Sequence, residues 1–221
     1  MEAFDLRYET ITEILTKELR DRILNENILP GEKINVDELA KDMQVSKTPI
    51  REALRKLEKE ELLIFIPRRG WEVKKLSDIE VKNLNEIQEL LETFLMRNIN
   101  KYIESISIDN LINANEQLQE SIEQREFDKV IHLNQQFHFE IYKHYPNPNL
   151  HRMVKNAWDQ FRQHRLQLVS ADIYLKNVID QHNQIIEGIA EKDFNGLELL
   201  CYKHFRLGEE AMGIEKTDTK F

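Results

Sequence analysis

Two groups of side chains in this sequence have types and spacings that could do chemistry. The first is the run Val45-Ser46-Lys47-Thr48-Pro49-Ile50-Arg51-Glu52. In a helix Lys47 and Arg51, four apart, share one face, and Arg55 continues it. Ser46 and Thr48 offer hydroxyls to phosphate oxygens. An arginine can pair bidentately with a guanine edge, whereas a lysine is a less directional donor. The second group lies among the chain's seven histidines. Asn134 and His138 are also four apart and share a helix face. His182 and His204 belong to two later segments separated by Asp193-Phe194-Asn195-Gly196. If those segments are helices packed antiparallel, the imidazoles can point into one interior. Three imidazoles and an oxygen ligand, with open positions left, suit Zn²⁺, Ni²⁺ or a similar divalent ion. A lone histidine is more often structural than a ligand, so it is the set that matters.

Helical periodicity supplies the elements that must hold these groups. Leu6, Ile11, Ile14, Leu15, Leu19 and Ile23 recur at spacings near three and four, which predicts an amphipathic helix over about 8–25. Leu29-Pro30-Gly31 breaks it. Asn35, with Glu38 three residues on, is an N-cap for a short helix to about Met43. After the turn Gln44-Val45-Ser46, Thr48-Pro49 provides a cap residue and a proline suited to a first helical turn. The third helix then runs to about Glu60, with Ile50, Ala53, Leu54 and Leu57 inward. Leu62-Leu63-Ile64-Phe65-Ile66 and Trp71-Glu72-Val73 flank the turn Pro67-Arg68-Arg69-Gly70, a β-hairpin with a basic tip. Arg68 and Arg69 there could reach phosphates or a minor groove.

Three helices and a two-stranded wing make a winged helix-turn-helix over residues 1–76. Ser77-Asp78-Ile79-Glu80 restarts helical periodicity. Six helices are expected over 78–103, 108–123, 127–144, 149–169, 172–190 and 193–211. The fold class is therefore mainly α: a winged helix-turn-helix, an all-α antiparallel bundle over 77–212 and a frayed tail over 213–221.

The formal net charge is −9, which would argue against nucleic acid as a partner. The average misleads, because residues 46–75 hold 9 Lys+Arg against 5 Asp+Glu. A locally basic strip is what a DNA contact requires. The single cysteine excludes a disulfide framework and an all-cysteine zinc site. The N-terminus lacks the positive start and apolar core of a signal peptide, and no apolar run reaches a membrane span of about 18–20 residues. A cytoplasmic protein without a membrane partner is the expectation. No HExxH and no nucleophile elbow accompanies the histidines, so an enzyme is not expected. The alternative is a metal-dependent enzyme with an accessory DNA-binding domain.

Leu29-Pro30-Gly31-Glu32, Leu39-Ala40, the run Val45–Leu54 and Leu57-Glu58 together resemble the GntR family of bacterial transcription regulators, and the all-helical C-terminal half resembles its FadR-type subgroup. The resemblance implies a homodimeric regulator, such as a repressor, that binds a double-stranded DNA operator. It assigns operator contacts to Ser46, Lys47, Thr48 and Arg51, and wing contacts to Arg69 and Gly70. Two departures stand out: Asp37 replaces a frequent arginine, and Lys47 replaces the commoner arginine.

The same resemblance implies a metal site of an aspartate, a histidine four residues later and two further histidines. His138, His182 and His204 match, whereas the aspartate position holds Asn134, which can ligate through oxygen but carries no charge. It further implies an effector that is a small organic acid, held by an arginine on the first helix of the second domain. That position is Gln88 here. Arg97 and Arg162 remain as anion partners, both expected at the surface. Trp158, Phe161 and Tyr174 could wall the pocket, although aromatics at helical spacing also build cores.

Overall fold

The computed structural model describes residues 9–168 and 172–211. The expectations for Leu6, for a helix start at residue 8, for residue 169 and for the tail 213–221 lie outside them. The chain forms two compact units divided between Leu76 and Ser77.

In the first unit, α1 (Ile11–Leu24) starts at a capping box in which Thr10 and Glu13 satisfy each other's backbone N–H groups. Leu15, Leu19 and Ile23 are buried, but Ile11 and Ile14 are exposed, contrary to the expected apolar stripe. The stripe that packs begins one turn later. Helix α2 (Val36–Asp42) is capped by Asn35, whose side chain accepts from the N–H groups of Asp37 and Glu38. Helix α3 (Lys47–Lys59) begins two residues earlier than Thr48-Pro49 suggested, with Ser46 at the N-cap. Pro49 thus falls within the first turn, where its missing N–H costs nothing. Ile50, Ala53, Leu54 and Leu57 are all fully buried, and α3 packs on both α1 and α2.

The wing is an antiparallel pair, β1 (Leu63–Ile66) and β2 (Gly70–Val73), with Leu63 opposite Val73 and Phe65 opposite Trp71. Trp71 anchors it from below by donating to Glu58 at 2.9 Å. At the tip the Arg69 N–H donates to the Ile66 carbonyl at 3.0 Å, and Arg68 has a φ of 65°. Pro67 followed by a left-handed residue is the pattern of a type II turn, which ordinarily asks for glycine or asparagine at Arg68. Gly70, with a φ of 92°, completes the reversal.

The second unit contains helices and no strand among its described residues. Helix α4 (Asp78–Arg97) opens at a capping box of Ser77 and Glu80. It ends six residues earlier than predicted, and two 3₁₀ turns, Ile99–Lys101 and Ile103–Ser105, carry the chain to α5. The helices α5 (Ile108–Glu123), α6 (Phe127–Tyr142), α7 (Pro148–Leu168), α8 (Asp172–Glu191) and α9 (Phe194–Ala211) complete it. α5 and α6 form a hairpin, α8 and α9 another, and α4 packs on α7 and α9. No helix among the described residues is long and apolar enough to cross a membrane.

Two cores fill this unit. The larger joins Leu95, Met96, Phe137, Ile141, Val154 and Trp158 with residues of α8 and α9. A smaller one, at the other end of the α5–α6 hairpin, holds Leu118, Val130, Ile131, Leu175 and Val178. Polar residues interrupt the inward stripes between them. On α4 these are Asn85, Gln88 and Glu92; on α5 the residue is Asn115; on α6 they are Asn134 and His138. Burying so many polar groups is costly unless they are partnered or have a job.

Candidate functional site

His138, His182 and His204 converge inside the second unit. One ring nitrogen from each lies within 4.8 Å of the others. The hydrogen bonds on the far edges of two rings decide which nitrogens face inward. His182 Nδ1 meets Asn115 Oδ1 at 3.0 Å, and Asn115 Nδ2 donates to Asn183 Oδ1 at 2.8 Å, which fixes the amide's orientation. An amide oxygen only accepts, so His182 carries its proton on Nδ1 and presents a lone pair at Nε2. That Nε2 is buried and has no hydrogen-bond partner. His204 Nδ1 meets Gln181 Oε1 at 2.9 Å, with the same consequence for its Nε2. His138 Nε2 and His204 Nε2 stand 3.1 Å apart. Two ring nitrogens at that distance need a proton or a cation between them.

Electrostatics favour a neutral His182. Burial, and then the neighbouring imidazoles of His204 and His138, push the His182 pKa well below the ordinary histidine range. His182 also stacks on Phe137, with centroids 3.8 Å apart and planes 8° from parallel. It is thus held rigid and neutral with its Nε2 unpartnered, the state in which an imidazole ligates a metal.

Behind His138 stands Glu92, 3% exposed. Its carboxylate accepts from Gln88 Nε2 at 2.6 Å, Tyr142 Oη at 2.7 Å and Trp158 Nε1 at 2.9 Å. Burial, and then the Glu92 charge, push the Tyr142 phenol well up, so it remains a donor. Glu92 Oε2 lies 3.7 Å from His138 Nδ1. A carboxylate behind a ligating imidazole orients the ring and raises its basicity. Because Glu92 faces the Nδ1 edge, it is an orienting group and not a base aimed at the point of convergence.

The donor set fits a divalent ion: three imidazoles, two of them hydrogen-bonded to amide oxygens on their far edges and the third with Glu92 behind it. A fourth candidate is Asn134, one turn before His138 on the same face, with a buried Oδ1 that has no hydrogen-bond partner. Replacing that oxygen by a carboxylate adds a full charge at the site. Asn134→Asp is therefore expected to tighten Zn²⁺ binding by about tenfold or more; a competition titration against a chelator reads it, and weaker binding would remove Asn134 from the ligand set.

The residues expected to wall an effector pocket divide. Trp158 stands 5.1 Å from the His138 ring and shares Glu92 with Gln88. Phe161 is buried on the same helix. Tyr174 instead lines a small chamber with Leu118, Val130, Ile131, Leu175 and Val178, where Asn134 is the other polar group. Arg97 is exposed and pairs with Glu198 at 2.7 Å. Arg162 is not at the surface as expected: it is 8% exposed, because it sits one turn after Trp158 on the inward face of α7.

In the first unit Ser46, Lys47, Thr48, Arg51 and Arg55 are all exposed, on the opposite side of α3 from its buried stripe. Arg68 and Arg69 are exposed at the wing tip, with Arg69 3.7 Å from Glu72. Lys47 has a partner that the sequence did not announce. Its Nζ lies 2.8 Å from Asp37 Oδ1, across the turn between α2 and α3. The residue that departs from the family pattern thus holds the other departing residue.

Comparison with known proteins follows the same division. Residues 11–73 match the model of bacterial regulatory proteins, gntR family, and residues 83–207 match that of the FCD domain. The HTH-type transcriptional regulator YdhC of Bacillus subtilis is 28% identical over 85% of this chain and 84% of its own length. The gluconate operon transcriptional repressor of Bacillus subtilis is 26% identical over 80% and 74%. The structure of Escherichia coli McbR/YncC superposes with a TM-score of 0.81 at 20% identity, covering 93% of this chain and 98% of that one.

Proposed function

The chain belongs to the gntR family of bacterial regulatory proteins and carries an FCD domain, and from that premise we propose that it is a cytoplasmic, homodimeric regulator of the FadR type whose operator affinity is set by a small organic acid bound at a divalent metal in the helical unit. The observation that carries the DNA half is the exposed row Lys47, Arg51 and Arg55 on the second helix of a helix-turn-helix, beside a wing tipped by Arg68 and Arg69. Such a helix enters the major groove, its first residues meeting base edges and phosphates. Ser46 and Thr48 then bond phosphates, Arg51 reads a base, and the wing with Gly70 follows the neighbouring backbone.

The effector half rests on the histidine cluster. A bound metal supplies a Lewis-acidic point for a carboxylate; His138, His182, His204 and Asn134 would hold it, with Gln88, Trp158 and Phe161 around it. Dimerisation is supported by an exposed apolar stripe, Ile87, Leu90 and Phe94 on α4, with Leu199 and Tyr202 on the adjacent α9. An exposed stripe at helical spacing is unfavourable in a monomer and self-complementary in a two-fold pair.

Selection of a random duplex library by the full chain tests the DNA half. A two-fold symmetric consensus is expected, with affinity falling steeply as salt rises. Equal retention of all duplexes would refute it. The Asp37–Lys47 pair adds an expectation. Asp37→Asn removes a negative charge facing DNA and releases Lys47, so affinity for the selected duplex should rise roughly two- to tenfold, with a salt slope steeper by about one. A salt titration reads this directly, and an unchanged slope would mean that Lys47 makes no phosphate contact.

A further inference from the structure

We propose that a divalent ion in the histidine cluster is a dimerisation ligand: it tightens the pairing of this chain with a second copy through the outward faces of α4 and α9. This rests on the metal and dimer readings given above and supplies a link between them. Helix α9 turns His204 inward beside the buried Leu197 and Cys201, and its opposite side carries the exposed Leu199 and Tyr202. Helix α4 is built the same way, with Gln88 and Glu92 buried and Ile87, Leu90 and Phe94 exposed. Two ion pairs set these helices antiparallel. Arg97 meets Glu198 at 2.7 Å and Arg206 meets Glu89 at 3.8 Å, about two helical turns apart. Leu90, Phe94, Leu199 and Tyr202 all lie between those pairs, so the two stripes form one apolar patch.

The charges around the patch select a second copy as its occupant. Glu86 is exposed at the N-terminal end of the α4 stripe and Arg97 at its C-terminal end. An antiparallel two-fold pair of α4 helices sets Glu86 of one copy toward Arg97 of the other, whereas a parallel pair sets like charges together. The histidine cluster reaches this face through α9. That helix packs on α4 and α8, and it meets α6 where His204 Nε2 stands 3.1 Å from His138 Nε2. With His138, His182 and His204 as common ligands, α9 is fastened to α6 and α8 at one point, which fixes its rotation about its own axis. Leu199 and Tyr202 on the opposite side are fixed with it. A ligand that orders a surface before association removes that ordering cost from the association.

Sedimentation equilibrium of the full chain over a dilution series, metal-free and loaded with Zn²⁺, tests this. Zinc should lower the dimer dissociation constant roughly 5- to 150-fold, and by reciprocity zinc should bind more tightly to the concentrated, dimeric chain than to the dilute one. Leu90→Asp should stay monomeric while elemental analysis at saturating zinc still finds the parental metal content. His204→Gln should dimerise like the metal-free parent whether or not zinc is added. Zinc uptake with an unchanged dissociation constant overturns the link and leaves the metal and dimer readings standing. A chain that takes up no zinc overturns the metal reading and the link together. A parental dimer in Leu90→Asp removes α4 from the interface, and zinc that tightens His204→Gln as much as the parent acts elsewhere than at the cluster; either result overturns the proposal.

Discussion

Arg51→Ala is expected to cost about 1–3 kcal/mol of operator affinity per half-site, and twice that in a dimer that reads both halves. Arg51 is exposed one turn into α3, on the face opposite Ile50, Ala53, Leu54 and Leu57. Its guanidinium makes no ion pair with any described residue, so its loss leaves no partner buried and unpaired. The variant should melt like the parent and retain its helical content. The loss should be concentrated at one base position of each half-site, because a bidentate arginine distinguishes guanine from the other bases. Competition with single-base variants of the selected duplex measures this. A uniform loss across all sequences would make Arg51 a phosphate contact, and parental affinity would remove α3 from the groove.

His182→Gln is expected to take the protein from near-stoichiometric metal to almost none. His182 is fully buried and its Nε2 has no other partner. The substitution removes one of three imidazoles and leaves the remaining pair with too few donors for a structural-type site. Glutamine is the first choice because His182 also stacks on Phe137. Alanine there would open a cavity costing about 3 kcal/mol, which would confuse folding with binding. The parent should gain thermal stability on adding Zn²⁺ and the variant should not, since a ligand that binds only the native state raises its melting temperature. Metal content equal to the parent's would exclude His182 as a ligand.

Much of this was legible in the residues because local chemistry and packing agreed. The buried stripe of α3 has the spacing of a helix, and the hairpin has the alternation of strands around a turn-forming Pro-Arg-Arg-Gly. The ligating set was visible as a pattern of types, although spacing alone does not show that three histidines on three helices converge. What the sequence concealed were the supporting groups. Asn115 and Gln181 fix the faces of two imidazoles and Glu92 stands behind the third, yet each is an ordinary polar residue in the sequence. The available signal was a polar residue inside an apolar stripe: Asn115 between Leu111 and Leu118, and Glu92 between Val81 and Leu95. The Asp37–Lys47 pair was hidden for another reason. It spans a helix-turn-helix corner, where ten residues of separation become 2.8 Å. Arg162 departs from the expectation that an arginine is exposed, because the register of α7 turns it inward.

Ligand in the helical unit is expected to change the affinity of the winged unit for DNA. The most direct measurement is the dissociation constant for the selected duplex with metal-free chain, with zinc-loaded chain, and with zinc-loaded chain in saturating acetate, at one fixed salt. A coupling of about 1–3 kcal/mol, or roughly 5- to 150-fold between states, is expected, and DNA must alter acetate affinity by the same factor. Identical constants in all three states would mean that the helical unit does not regulate DNA binding, even if the duplex and the metal each bind.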